Sequence, residues 1–402
     1  MLAVVKQGEG SPVVQFAHFS VKEYLTSARL AEAKDTISHF HVSMTAAHTI
    51  VARAGLGVLL HFDEYVTKDS LEEFPLAEYA AEHWVGHARF ENVSSNVDDG
   101  IKRLFDPSRS HLSVWTWIYD PDRPDLRHVR SERPTMARAT PLHYAALRCM
   151  HGVVKFLIVE HSQDVNARGF GNEETPLHAA SRGGHADIIQ VLLEHGADIN
   201  VLDYRERTPL LLASIGEHVE VARVLLKHNA DTEARSLNNW SPLKWVADEG
   251  YVEFARVLLE HGADVDTQDE DNQTPLYRAQ GEVARLLFKH GADANALDSY
   301  GQAPLHRLSD LGRVEAARVI LNHGVDANAR NSKNVTPLHL ASSEGEDDVV
   351  RLLLEYGANI HARDDQGRTP FMIATERGHH NIMRLLLEQG AEDHRLVERI
   401  SD

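Results

Sequence analysis

The chain has 402 residues, 43% of them apolar, and a net charge of −19, which leaves room for two or three domains. Its single cysteine, Cys149, excludes an intramolecular disulfide and a Cys–His zinc pattern, and no run of about eighteen apolar residues is available to span a membrane. The opening MLAVVKQGEG carries too little apolar sequence for a secretory leader, so the cytosol is the expected compartment, with the nucleus open.

LAVVKQ, a GEGSP turn and VVQFAHFS predict a β-hairpin. SVKEYLTSARL then predicts a helix, with Ser20 as cap and Glu23 as its capping-box partner. Further helices are predicted over 43–60, 76–89 and 97–105. From Asp106 the sequence turns looser, rich in Pro and charge, with a Trp115-Thr116-Trp117 anchor that reads as a connector lying against the next segment. His83 and His87 are spaced i,i+4, but without an HExxH pattern they read as a surface or packed helix face.

Beyond this point one pattern dominates. A tetrapeptide close to Thr-Pro-Leu-His opens at Thr140, Thr175, Thr208, Ser241, Thr274, Ala303, Thr336 and Thr369, at spacings of 35, 33, 33, 33, 29, 33 and 33. Such a fixed period marks a solenoid, in which no unit can bury its apolar face alone. In the second copy, Thr175 suits a helix cap and Pro176 the first helical position. Gly183-Gly184 breaks that helix, and Ile188, Ile189, Val191, Leu192 and Leu193 supply the apolar face of a second. Gly196 suits the left-handed residue that ends it.

The polar turn between copies needs a positive φ at one position. Gly301, Gly367, Asn239, Asn272 and Asn334 fill it well, whereas Glu206 is an exception and predicts a differently bent turn. The fifth copy is four residues short, which predicts a kink or shallow notch. Residues 1–139 hold 15 basic and 19 acidic side chains, and residues 140–402 hold 26 and 41. An array so acidic disfavours a nucleic-acid backbone, whose binding needs clustered cations. The acid either keeps a long solenoid soluble or favours a basic protein partner.

The T-P-L-H-x-A pattern at this period resembles the ankyrin repeat. The resemblance implies an all-α solenoid of about eight repeats over 134–402, preceded here by the helical region and the short hairpin. It also implies a structural role for the motif histidines His143, His178, His306 and His339, which in that family tie the threonine to neighbouring backbone groups. In ankyrin proteins a protein or peptide usually lies across the turn tips and first helices. Carried over by position, this singles out Tyr144, Arg207, Trp240, Trp245, Arg278, Arg307 and Arg368, since Trp, Tyr and Arg dominate interface energies. Trp245 keeps a second reading, as packing between adjacent first helices. No cofactor, metal, small-molecule substrate or membrane is implied.

FAHFSVKEYLTSARL, LAEYAAEHWVGHA, an LFDP…W segment and PLHYAAL are similar in order to fungal NACHT–ankyrin proteins of the NLR-like STAND class. In those, a histidine-plus-EYL helix follows a hairpin in the winged-helix region. That resemblance implies a winged-helix end at 1–30 and a helical connector at 31–133. No Gly-x4-Gly-Lys-Ser/Thr loop occurs, so the phosphate cradle is absent from this chain. Two functions follow. One is a non-enzymatic protein–protein interaction scaffold. The other is the ligand-sensing or autoinhibitory half of a NACHT/STAND signalling NTPase whose nucleotide-binding domain is not in this chain. An enzyme is not expected, because no nucleophile elbow, kinase signature or carboxylate pair appears, and Ser20 and Cys149 have no assembled partners.

Overall fold

The computed structural model describes residues 2–5, 13–16, 44–62, 65–72, 74, 76–90, 93–121, 139–169 and 172–391. The chain divides into two compact units, Met1–Gln163 and Asp164–Asp402.

In the first unit, strands Leu2–Val5 and Val13–Phe16 pair antiparallel, with Leu2 opposite Phe16 and Val5 opposite Val13. The predicted turn between them, the helix capped by Ser20 and the stretch 122–138 lie outside the described residues. Helix Met44–His61 packs on helix Ala77–Ala88, and small residues let the two approach. A Cβ added at Gly55 would lie 3.1 Å from Trp84 Cβ and 3.8 Å from Ala80 Cα. Helix Ser94–Phe105 contributes Val97, Ile101, Leu104 and Phe105 to the same core.

Residues 111–118 depart from the expected loose connector. They form helix His111–Ile118, buried on nearly every side. Polar side chains turn the chain into it: Asp106 accepts hydrogen bonds from Ser108 N (2.9 Å) and Oγ (2.6 Å), which hold its carboxyl below the usual range. Trp115 is 0% exposed and donates from Nε1 to Ala81 O at 2.8 Å. Its ring meets Trp84, Phe105 and Tyr144 edge-on, with centroids 5.4, 5.7 and 6.3 Å away. The short helix Lys68–Glu72 has no counterpart in the sequence reading. The first helix pair, Pro141–Leu147 and His151–Val159, belongs to this unit.

The second unit repeats one device. A short first helix starts at Pro176, Pro209, Pro242, Pro304, Pro337 and Pro370, and each is followed by a nine-residue second helix. First helices pack on first helices, and second helices on second helices. Leu177, Ala179 and Ala180 are 0% exposed, as are Ile188, Ile189 and Leu192. Gly184 ends the first helix of its repeat at φ 75° and leaves room for the next repeat. A Cβ there would meet the His218 ring at 2.7 Å, and that ring donates from Nε2 to Arg182 O at 3.0 Å. Side chains also stitch neighbouring turns together: Asn166, Asn200 and Asn328 accept from the backbone N–H of Asp198, Asp231 and Asn359 at 2.8, 2.9 and 2.6 Å.

The turn at Glu206 corrects the sequence expectation. Glu206 adopts φ 58°, beside 56° at Asn239 and 68° at Gly301. Its turn closes in the same way, Asp203 N–H donating to Arg207 O at 3.1 Å as Asp298 N–H does to Gln302 O at 2.9 Å. The neighbouring hydrogen bonds outweigh the steric cost of a left-handed glutamate. Glu206→Gly is therefore expected to raise the unfolding free energy by about 1 kcal/mol, read by urea denaturation. A loss of stability would show that the turn holds no such strain.

Candidate partner-binding surface

The fourth motif residue links five of the repeats to the turn that follows. His178 Nδ1 accepts from Thr175 N–H at 3.1 Å, and Nε2 donates to Arg207 O at 3.0 Å. His306 repeats the arrangement with Ala303 N–H (3.2 Å) and Val335 O (3.1 Å), and His339 with Thr336 N–H (3.1 Å) and Arg368 O (3.1 Å). At two of the positions where histidine is replaced, the carbonyl still receives a donor. Tyr277 Oη donates to Gln302 O (2.6 Å), and Lys244 Nζ to Gln273 O (3.0 Å) and to Asp269. Leu211 has no donor to offer.

Burial holds His178, His306 and His339 below the usual imidazole pKa near 6.5, outweighing the hydrogen bonds that act the other way. Protonating Nδ1 would also set two N–H groups against each other. The unfolded chain thus takes up protons first as pH falls, so stability is full above about 6.5 and declines below it, by up to about 1.4 kcal/mol per pH unit for each ring. The thermal midpoint is expected to drop between pH 7.5 and 5.5. A flat midpoint across that span would contradict the neutral, buried assignment.

The centre of the first-helix row carries the surface of interest. Trp240 and Trp245 are both half-buried, and their rings meet edge-on with centroids 5.6 Å apart. The Arg278 guanidinium lies 5.1 Å from the centroid of Trp240, and Lys244 Nζ lies 5.5 Å from it. Asp248 gathers Arg278 Nη1 at 3.3 Å and Arg313 Nη2 at 3.2 Å, while Arg307 pairs with Asp310. Four of the seven predicted residues, Trp240, Trp245, Arg278 and Arg307, therefore sit in three consecutive repeats, with Arg278 and Lys244 against the Trp240 ring and Arg307 paired with Asp310.

The other three are engaged elsewhere. Tyr144 is 0% exposed and packs against Trp115, so it belongs to the core of the first unit. Arg207 and Arg368 clamp the aspartates of their own turns: Asp203 at 2.7 Å and Asp364 at 2.8 Å. Arg207 reaches Glu174 as well, at 3.6 Å. These side chains hold the turn shape, and the residue before Thr-Pro alone does not reveal that.

Sequence reasoning missed Lys244, Asp248 and Arg313. Lys244 was visible as the one charged residue at the histidine position, where Leu211, Tyr277 and Met372 also depart from histidine. Arg313 and Asp248 lie 65 positions apart, and what joins them is the short fifth repeat. There the first helix shrinks to the 3-10 turn Pro275–Tyr277, and Gln280 binds back to Ala247 O (3.1 Å), Asp248 O (3.1 Å) and Glu249 O (3.0 Å). The shortened repeat brings the start of helix Val314–Asn322 within reach of the repeat before last. Among the described residues, no group of three or more His, Cys, Asp or Glu side chains is placed to hold a metal, and no helix is long and apolar enough to cross a membrane.

The repeats themselves match known proteins. A family model described as ankyrin repeats (3 copies) matches residues 123–203, 201–269, 264–331 and 323–395. The azaphilone pigments biosynthesis cluster protein L of Monascus ruber is 32% identical over 204 residues, 48% of this chain and 42% of that protein. Palmitoyltransferase AKR1 of Lachancea kluyveri is 40% identical over 79 residues, 20% of this chain and 10% of that protein. The chain thus spans less than half the length of either relative. The solved ankyrin repeat domain of Bcl-3 is 27% identical, with a TM-score of 0.45, covering 52% of this chain and 98% of that one.

Proposed function

Because the chain belongs to the ankyrin-repeat family, we propose that it is a non-enzymatic interaction scaffold that binds a protein or peptide across the first-helix row of its array. Ankyrin repeats generally mediate protein–protein interaction, and one observation supports this face as the binding surface. The Trp240–Trp245 pair stays half-exposed at the middle of the row, with Arg278 over one ring. Aromatic and arginine side chains at a patch centre are the usual carriers of binding energy, and tryptophan left open to water needs a reason. The acid of the array keeps the scaffold soluble and draws basic regions of a partner to its flanks; the single cysteine suits the cytosol.

A photo-crosslinking residue placed at position 245 is expected to capture a partner in cells, while the same residue at Arg256, on a second helix, captures none. Equal crosslinking at both positions, or none at position 245, would contradict the assignment.

A second reading draws on the paired strands Leu2–Val5 and Val13–Phe16 and on the helices over 44–118. In it, 1–30 ends a winged-helix module, 31–133 connects, and 134–402 is the sensing or autoinhibitory array of a NACHT-type switch. Codons upstream of Met1 test this: an in-frame P-loop supports it, and a stop codon at a mapped transcription start contradicts it.

A further inference from the structure

The proposed patch runs against the charge of the array around it. Arg307 and Asp310 neutralise one another, as do Lys244 and Asp269. Arg278 and Arg313 then share the single carboxylate of Asp248, so that two guanidinium groups meet one carboxylate beside Trp240. The hydrogen bonding is unbalanced in the same direction. Trp245 Nε1, Arg307 Nε and Arg313 Nε are covered by neighbouring side chains yet find no acceptor among the described residues. Buried donors without acceptors are costly, and these belong to half-exposed side chains that can turn toward an incoming acceptor.

We infer, on the reading that this patch is the binding surface, that it receives the side-chain carboxylate of an Asp or Glu in a partner peptide. The carboxylate sits between Arg278 and Arg313, and an apolar neighbour in the peptide lies on Trp240 and Trp245. A carboxylate accepts from guanidinium groups through paired, planar hydrogen bonds, and it gives the second guanidinium a carboxylate of its own. A phosphate dianion carries twice the charge and meets more of the repulsion of an array holding 41 acidic against 26 basic residues. A lysine or arginine brought to the same spot faces Arg278 and Arg313 directly. The acidic residue is thus a local feature of a partner that need not be acidic as a whole.

The test is selection of a displayed random-peptide library on the full chain, with counter-selection on Arg278→Gln/Arg313→Gln. The expected products carry Asp or Glu next to an apolar residue. Changing that acid to its amide in a synthetic peptide should weaken binding about tenfold or more. Arg278→Lys, which keeps the charge and loses the planar fork, should weaken the acidic peptide but not its amide analogue. This variant carries the test if the double glutamine variant does not fold. Products that are basic, or that bind better with phosphoserine in place of the acid, would overturn the carboxylate assignment while leaving the patch in place, provided that they lose affinity for Trp240→Ala. Products that bind Trp240→Ala and wild type equally would instead remove the patch as the binding surface. A library that enriches nothing would count against both.

Discussion

Lys244→Ala is expected to destabilise the array by about 3–5 kcal/mol. Lys244 takes the place of the motif histidine and is 1% exposed; Asp269, its partner, has an 8% exposed side chain. Burial pushes the lysine pKa down, and its hydrogen bond to Asp269 pulls in the opposite direction. Truncation leaves the Asp269 side chain covered without its partner, and strips Gln273 O of one of its two donors, the other being Asp269 N–H at 3.2 Å. Asp269 still caps its turn, accepting from Asp271 N–H at 3.0 Å and Gln273 N–H at 2.8 Å, so the lost part is the lysine's. Lys244→His should recover much of the loss, because the imidazole returns the donor that His178, His306 and His339 supply. Urea unfolding of both variants checks this. Equal stability of Lys244→Ala and wild type would mean that the ammonium group contributes nothing net.

Trp115→Ala should cost about 3–5 kcal/mol in the first unit. The indole fills the centre of that unit against Trp84, Phe105 and Tyr144, and its hydrogen bond to Ala81 O is lost with it. Ala81 O is then left without that donor in a dry site, which adds to the cavity. Because Tyr144 opens the first repeat, helix Pro141–Leu147 should lose hydrogen-exchange protection together with helix Ala77–Ala88. Loss confined to residues 77–118 would show instead that the first helix pair is held by its own contacts.

The repeat architecture was legible because each of its devices is local. Pro at the first helical position, Gly184 at a helix end and Asn or Gly at the turn all report a backbone conformation within a few residues. Glu206 was misread for the same reason: its left-handed φ is imposed by the hydrogen bonds of the whole turn, which outweigh its own preference. The predicted binding residues divide along the same line. Trp245 and Arg278 occupy the fifth motif position, and their exposure follows from helix geometry. Tyr144 occupies it too, but packs against a tryptophan 29 positions upstream, a tertiary fact that the motif does not encode. The pairing of Asp248 with Arg313 needed the consequence of a four-residue deletion worked out in three dimensions. Helix His111–Ile118 was hidden by the Pro and charged residues on either side of it.

The most direct measurement of the central claim is the affinity of wild type and of Trp240→Ala/Trp245→Ala for the protein captured at position 245, at a temperature where both are folded. The scaffold account predicts binding weaker by about a hundredfold or more, with the helical circular-dichroism signal retained. Unchanged affinity, or binding that disappears only when the array unfolds, would contradict it and make the two tryptophans part of the packing.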